Sequence, residues 1–282
     1  MVSYLCEVAG VSRSGYYNYF SERSKINRSN LEATDEIVKR DILKAMNYKN
    51  KSKGARQIRM VLERKFGIIY NLKRIRRVMK KYKIKCKIRV AKPYKKMMKA
   101  TKEHSTMPNL LKRNFKQGIP GKVLLTDITY LPYPGGMAYL STILDGSTNE
   151  VLAYNVTDNL KIPLVLDTLK KLTRNRKVRR HPEAIIHSDQ GSHYTSPKFQ
   201  KAIRKMKNLT QSMSRRGNCW DNAPQESFFG HFKDNLDLSN SKNLQDVIRE
   251  VRQGINYHNK ERYQWGLKKM TPVEYRNHLL EK

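Results

Sequence analysis

The sequence predicts an α/β domain with a mixed sheet, preceded by a strongly basic helical region. Before Lys83 the apolar residues recur at helical spacing. From Lys122 onward short β-branched and aromatic runs sit between turn residues, first in succession and then alternating with helical patterns. Strands in succession predict an antiparallel meander, and the later alternation predicts parallel neighbours in the same sheet. Charge marks the same division. The chain carries 58 Lys and Arg against 24 Asp and Glu, a net +34. The stretch Asp35 to Lys122 holds 29 basic and 5 acidic side chains, and so 24 of that excess.

The opening segment, YLCEVAGVSRSGYYNYF, predicts two short helices around a turn at Gly10, the second capped by Ser12. Three longer helical patterns follow. Asp35 to Tyr48 turns Ile37, Ile42 and Met46 inward, and Ala55 to Phe66 does the same with Ile58, Leu62 and Phe66. Asn71 to Tyr82 places Leu72, Ile75, Val78, Met79 and Tyr82 on one face and Lys73, Arg74, Arg76, Arg77, Lys80 and Lys81 on the other. Cations in such a row with no acid among them repel one another unless phosphate screens them, so this helix is the expected nucleic-acid contact. The stretch from Lys83 to Pro120 lacks periodicity and reads as a basic linker lying along DNA.

The runs KVLLTDITYLPY, MAYLSTILDG and EVLAYNVTD predict the meander. A helix over 162–172, the strand AIIHSD, a helix over 196–205, a strand over 209–213 and a helix over 222–236 continue it, giving five strands in all. Helices over 244–259 and 271–280 close the chain.

Composition narrows the class. No window approaches the roughly 18 to 20 apolar residues that cross a bilayer, and no basic region precedes an apolar one at the amino terminus, so neither membrane insertion nor export is expected. Cys6, Cys86 and Cys219 are odd in number and far apart, which excludes a disulfide framework and a Cys-x-x-Cys zinc site. A reducing cytoplasm and a polyanionic partner fit best.

Three acids stand out. The period of two puts Val123, Leu125, Asp127 and Thr129 on one strand face, where a lone carboxylate needs a cation or the rim of the sheet. Asp189 ends the strand AIIHSD. Glu226 lies on a helix whose stripe is Phe228, Phe232 and Leu236, and so shares another face with Asn222 and Lys233. Two strand acids and one helix acid match the oxygen ligation of Mg²⁺ or Mn²⁺, with two ions suited to in-line displacement at a phosphodiester. Each alone has a plainer reading: a strand-end Asp forms turns or caps, and a helix Glu is commonly solvated.

The neighbours are open in the same way. His187 either hydrogen-bonds toward the site or packs as structure; Arg215, Arg216 and Lys233 either touch phosphate or are ordinary surface. Asp145 suits a turn and Asp221 a helix start, and Trp220 suits a core or an interface better than a base-stacking platform.

LLTDITYLPY, YLSTILDGSTNEVLAYNV, IIHSDQGSHYTS, SMSRRGNCWDNAPQESFFGHFKDNL and YHNKERYQWGLKKMTPVEYR together resemble the second-frame product of bacterial two-frame insertion-sequence transposases of the IS-three family. These are members of the retroviral integrase superfamily, and the resemblance runs from about Asp35 to the carboxyl terminus. It implies an RNase H-like core with a catalytic Asp, Asp, Glu set on Asp127, Asp189 and Glu226, and a helix-turn-helix over the basic helices; His187 and Asn222, by their positions in the sequence, are expected beside that set. There are departures. The interval Gln190 to Gln225 is one residue longer than the family's usual spacing, which an insertion near Lys207 and Asn208 would absorb; Leu124 stands where relatives often carry Trp; and the zinc module of retroviral integrases has no counterpart.

The expected organisation is a partial helix-turn-helix over 1–30, a DNA-binding domain over 31–85, a linker over 86–120, the catalytic core over 121–240 and terminal helices over 241–282. The expected function is DNA strand cleavage and strand transfer at element ends. A metal-dependent nuclease of the same fold and a non-catalytic DNA-binding regulator are the rivals. Partners would be element-end and target DNA, a first-frame product or a fusion with it, and further copies of the chain, in a nucleoid-associated cytoplasmic setting.

Overall fold

The computed structural model describes residues 1–51, 53–86, 106–175, 180–215 and 218–281. The chain divides into two compact units, Met1–Lys87 and Ile88–Lys282.

The first unit is helical: α1 (Val2–Val8), α2 (Arg13–Phe20), α3 (Glu22–Asn47), α4 (Ala55–Phe66) and α5 (Leu72–Lys81). Gly10 takes a φ of 64°, and Ser12 caps α2 by accepting from the Gly15 N–H at 3.0 Å, as the sequence predicts. The next helix starts earlier than its apolar pattern. Ser21 caps α3, and no Gly or Pro interrupts 22–47, so the polar stretch before Asp35 stays helical without an inward stripe. The boundary expected near residue 30 therefore falls inside α3.

The buried face of α3 is also rotated from the expected one. Asp35, Val38, Ile42 and Ala45 are buried, whereas Ile37 is 55% exposed. A carboxylate can occupy that face because α5 supplies its charge partners. Arg77 grips Asp35 with both guanidinium nitrogens, at 2.8 and 2.5 Å, and Lys81 reaches Asp35 at 3.0 Å and pairs with Glu32 as well. The basic row of α5 is thus partly neutralised from inside the unit, which corrects the expectation that phosphate alone screens it.

The second unit is the α/β domain: β1 (Val123–Tyr133), β2 (Gly136–Asp145), β3 (Val151–Thr157), α6 (Pro163–Arg174), β4 (Ala184–Ser188), α7 (Ser192–Thr195), α8 (Pro197–Arg204), β5 (Leu209–Met213), α9 (Ala223–Asp234), α10 (Leu244–Lys260) and α11 (Pro272–Leu280). The five strands are ordered β3-β2-β1-β4-β5; the meander is antiparallel, and β4 pairs in parallel with β1 and β5. This is the mixed five-stranded sheet with flanking helices of the RNase H-like fold.

Strand alternation sends side chains into two cores. Val123, Leu125 and Leu131 join Phe228, Phe229 and Phe232 of α9 and Val247, Val251 and Ile255 of α10. Leu124 joins Val165 and Leu169 of α6 and Phe199 and Ile203 of α8 on the other face, which is how Leu is accommodated there. The terminal helices are thus part of this unit. The described part of the expected linker, 106–120, packs too: Leu111 is buried in the α9 core, and Leu110 N–H donates to Ser212 Oγ at 3.0 Å. Residues 87–105 of that stretch lie outside the described residues. No described helix is long and apolar enough to cross a membrane.

The α3–α5 tie has a testable pH signature. Arg77, and then Lys81, hold the Asp35 carboxyl down at about 2 against the pull of burial. A depressed folded value stabilises above the ordinary carboxylate range and is lost as pH falls through about 2. Asp35→Asn in the full chain should be less stable than wild type at neutral pH, and the gap in denaturation midpoint should close between about pH 4 and pH 2.

Candidate active site

The register of the central strands fixes the first two candidate acids. β1 pairs with β4 through Val123–Ile185, Leu124–Ile186 and Leu125–His187, and two residues further along lie Asp127 and Asp189. Side chains alternate, so Asp127 continues the row of Val123 and Leu125, the face covered by α9. Both acids act electrostatically on one group: together with burial, their charges push the fully buried Tyr194 phenol well up. Its hydroxyl lies 3.5 Å from Thr126 Oγ1.

Each carboxylate is held locally. Asp127 Oδ1 accepts from the Ile128 N–H at 2.7 Å, and Asp189 Oδ1 from the Gly191 N–H at 2.9 Å. A Cβ on residue 191 would stand 2.8 Å from Asp189 Oδ1, so any larger residue there would displace the carboxylate from this position. Asp189 is exposed on one side, yet desolvation by its packed surroundings raises its carboxyl, against the opposing Gly191 N–H and the charge of His193.

Glu226 arrives on α9. It is exposed in the first turn, where the helix dipole favours an acid. Its neighbour Gln225 is buried and donates through Nε2 to Thr142 Oγ1, and Thr142 is the cross-strand partner of Asp127. Phe228, Phe229 and Phe232 then clamp the helix to the sheet. In this turn of α9 it is Gln225 that faces the sheet, and Glu226 stands exposed one residue further on. Among the described residues, no three His, Cys, Asp or Glu side chains are grouped closely enough to hold a metal ion. The available donors are nonetheless all oxygen, the chemistry that suits a hard divalent cation. The buried Asn222 Oδ1 and Gln225 Oε1 beside Glu226 have no hydrogen-bond partner.

The turn that feeds α9 is anchored by Asp221, whose role exceeds the helix start expected of it. Its buried carboxylate accepts from Arg113 Nε at 2.8 Å, Asn109 Nδ2 at 3.0 Å, Arg215 Nε at 3.0 Å, Arg215 Nη2 at 3.1 Å and the Arg215 N–H at 3.1 Å. Arg215 first, and Arg113 with it, hold that carboxyl far below the usual range. Arg215 thus pairs internally with Asp221 while its side chain stays 61% exposed. Arg216 lies outside the described residues, and Lys233 is half-buried on α9.

The sequence of this chain matches the model of the integrase core domain over residues 118–219 and a second integrase core model over 226–280; an HTH-like domain matches over 32–92. It is 32% identical over 278 residues to the putative transposase InsK for insertion sequence element IS150 of Escherichia coli, covering 97% of this chain and 92% of that one. The chain belongs to the insertion-sequence transposase family. An insertion element IS600 protein of 31 kDa from Shigella sonnei is 33% identical over 280 residues, covering 96% of this transposase chain and 97% of its own. Among solved structures, the HTLV-2 integrase catalytic core domain in complex with magnesium covers 56% of this chain and 97% of that one, at 14% identity and a TM-score of 0.42.

Several neighbours in this transposase differ from expectation. His187 is fully buried; its Nδ1 lies 2.9 Å from Ser212 Oγ and its Nε2 3.1 Å from Ser214 Oγ, so the ring ties β4 to β5, and burial favours its neutral form. Asp145 is the expected turn former, accepting from the N–H groups of Gly121, Ser147 and Thr148. Trp220 is 69% exposed, neither core nor covered. On α5, Lys73, Arg76 and Lys80 are exposed, Arg74 is half-buried with its guanidinium 5.3 Å from the Tyr70 ring centroid, and Arg77 is bound to Asp35.

Sequence reasoning missed Tyr194 and the Arg113–Asp221 pair. Arg113 lay in a stretch without periodicity, and its partner is 108 residues away. Asp221→Asn should cost about 1–3 kcal/mol by leaving the guanidinium donors without a full charge partner. Hydrogen exchange should quicken in the first turn of α9 while β1 stays protected.

Proposed function

We propose that this chain cleaves a DNA strand at the ends of its element and joins the freed 3′-hydroxyl to another phosphodiester, with Asp127, Asp189 and Glu226 as the catalytic set. The observation that carries the reading is the register: Asp127 and Asp189 follow the same three rungs of parallel pairing, on the face covered by the helix that bears Glu226. Membership of an integrase-core transposase family supports the same assignment.

Both steps are in-line displacements at phosphorus. In the first, water forms the new P–O bond, the bond to the 3′ oxygen breaks, and that oxygen leaves with a proton. In the second, the 3′-hydroxyl is the nucleophile and loses its proton as a strand is joined and another 3′ oxygen is released. One set of acids serves both, because only the nucleophile changes. Asp127 and Asp189 would hold Mg²⁺ or Mn²⁺ with Glu226. A divalent ion bound there supplies positive charge to the phosphate and makes the nucleophile more acidic. The chain's own part is to fix the carboxylates: two on paired strands, one on a helix locked by three phenylalanines.

The basic helix α5 supplies DNA affinity through Lys73, Arg76 and Lys80, with Arg74 alongside, and Arg77 contributes mainly to the fold. Joining two ends implies more than one copy of the chain on DNA, and a first-frame product or fusion as a second source of DNA contact.

The decisive experiment incubates purified protein, with and without its first-frame partner, on labelled element ends in Mg²⁺. Joined strands should form and fall by at least about 100-fold in Asp127→Asn, Asp189→Asn and Glu226→Gln, while DNA binding persists. Cleaved but never joined strands would support a hydrolytic nuclease. Binding indifferent to all three variants, with no Mg²⁺-dependent product from wild type, would support a regulator. Separately, Lys73→Ala, Arg76→Ala and Lys80→Ala should each weaken binding across all sequences and lower the salt slope of log K by about 1.

A further inference from the structure

Trp220 is the feature of the second unit that the reading above leaves unused. An indole 69% exposed keeps a large flat apolar surface in water, which marks a contact site when the scaffold beneath it is fixed. Here it is fixed. Residues Cys219–Asn222 form a single 3-10 turn leading into α9, and the two residues that follow Trp220, Asp221 and Asn222, are buried. Asp221 is held by Arg113, Arg215 and Asn109, so the turn that carries the indole is tied down at the next residue.

The surroundings select the occupant. Arg113 and Arg215 meet at Asp221 with side chains 47% and 61% exposed, so the turn combines a flat aromatic face with two partly solvated guanidinium groups. Glu226 follows in the first turn of α9. A flat aromatic group among cations fits a nucleobase on a polyanionic strand, stacking on the indole while the guanidinium groups face its phosphates. Bases inside a duplex are already stacked on one another, so the base that reaches Trp220 must be unpaired.

We infer that Trp220 stacks on an unpaired nucleobase beside the phosphodiester held at the acids, keeping the DNA end open for reaction. This rests on the proposed reading of the site and names how its substrate is gripped.

The test measures binding of labelled element-end DNA to wild type, Trp220→Ala, Trp220→Phe and Glu226→Gln. The DNA is fully paired, mismatched at the end, or abasic at the end. Wild type and Glu226→Gln should prefer the mismatched end over the abasic end by about 5- to 150-fold. Trp220→Ala should lose that preference with an unchanged melting profile, and Trp220→Phe should keep most of it. If Trp220→Ala discriminates like wild type, weakens equally on all three DNAs, or if wild type shows no preference, the inference is overturned. Failure of the strand-joining assay with the preference intact would remove the catalytic reading and leave the stacking contact standing.

Discussion

Three rungs of parallel pairing, Val123–Leu125 on β1 against Ile185–His187 on β4, decide where the rest of the second unit can go. They join the antiparallel meander to the parallel half of the sheet, and Asp127 and Asp189 each lie two residues beyond the last of these rungs. Shifting the pairing by one residue would exchange the two core faces, moving Leu124 toward α9 and Val123 and Leu125 toward α6. Apolar burial on both faces therefore protects the register, and the register aligns the acids. His187, tied to Ser212 and Ser214, extends the same alignment to β5.

A net charge of +34 makes self-repulsion a structural problem, met by placing a few acids where they neutralise most. Asp35 on α3 receives Arg77 and Lys81, Asp221 receives Arg113 and Arg215, and the buried Glu150 receives Arg276. Each joins segments distant in sequence. Residues Lys73, Arg76 and Lys80 stay exposed on the helix whose Arg77 is used internally. Within one row of cations, internal attachment and exposure to solvent thus fall to different residues.

Local patterns made much of this legible. The strands, the turn at Gly10, the Ser12 cap and helices α6 to α11, apart from the short α7, lie close to where periodicity and capping place them. What was hidden depends on contacts between distant segments. The buried face of α3 turns on Asp35, whose burial makes sense only with Arg77 in view, and the packing of 106–120 depends on Ser212 and Asp221. The candidate acids were legible as types, a mid-strand Asp, a strand-end Asp and a helix Glu, but the matching positions of Asp127 and Asp189 past the last paired rung follow only from the β1–β4 register. Trp220 stands outside the core because Asp221 and Asn222, the two residues after it, take the interior, which nothing local reveals.

The order in which the second unit leaves the ribosome gives its sheet an unusual dependence. All five strands are complete at Met213, yet one face remains bare until Phe228, Phe229 and Phe232, and then Val247, Val251 and Ile255, have been made. A chain that stopped there would carry both strand acids on a sheet with half its core missing. Closing that core therefore waits on the same stretch of synthesis that supplies Glu226, and on the helix after it.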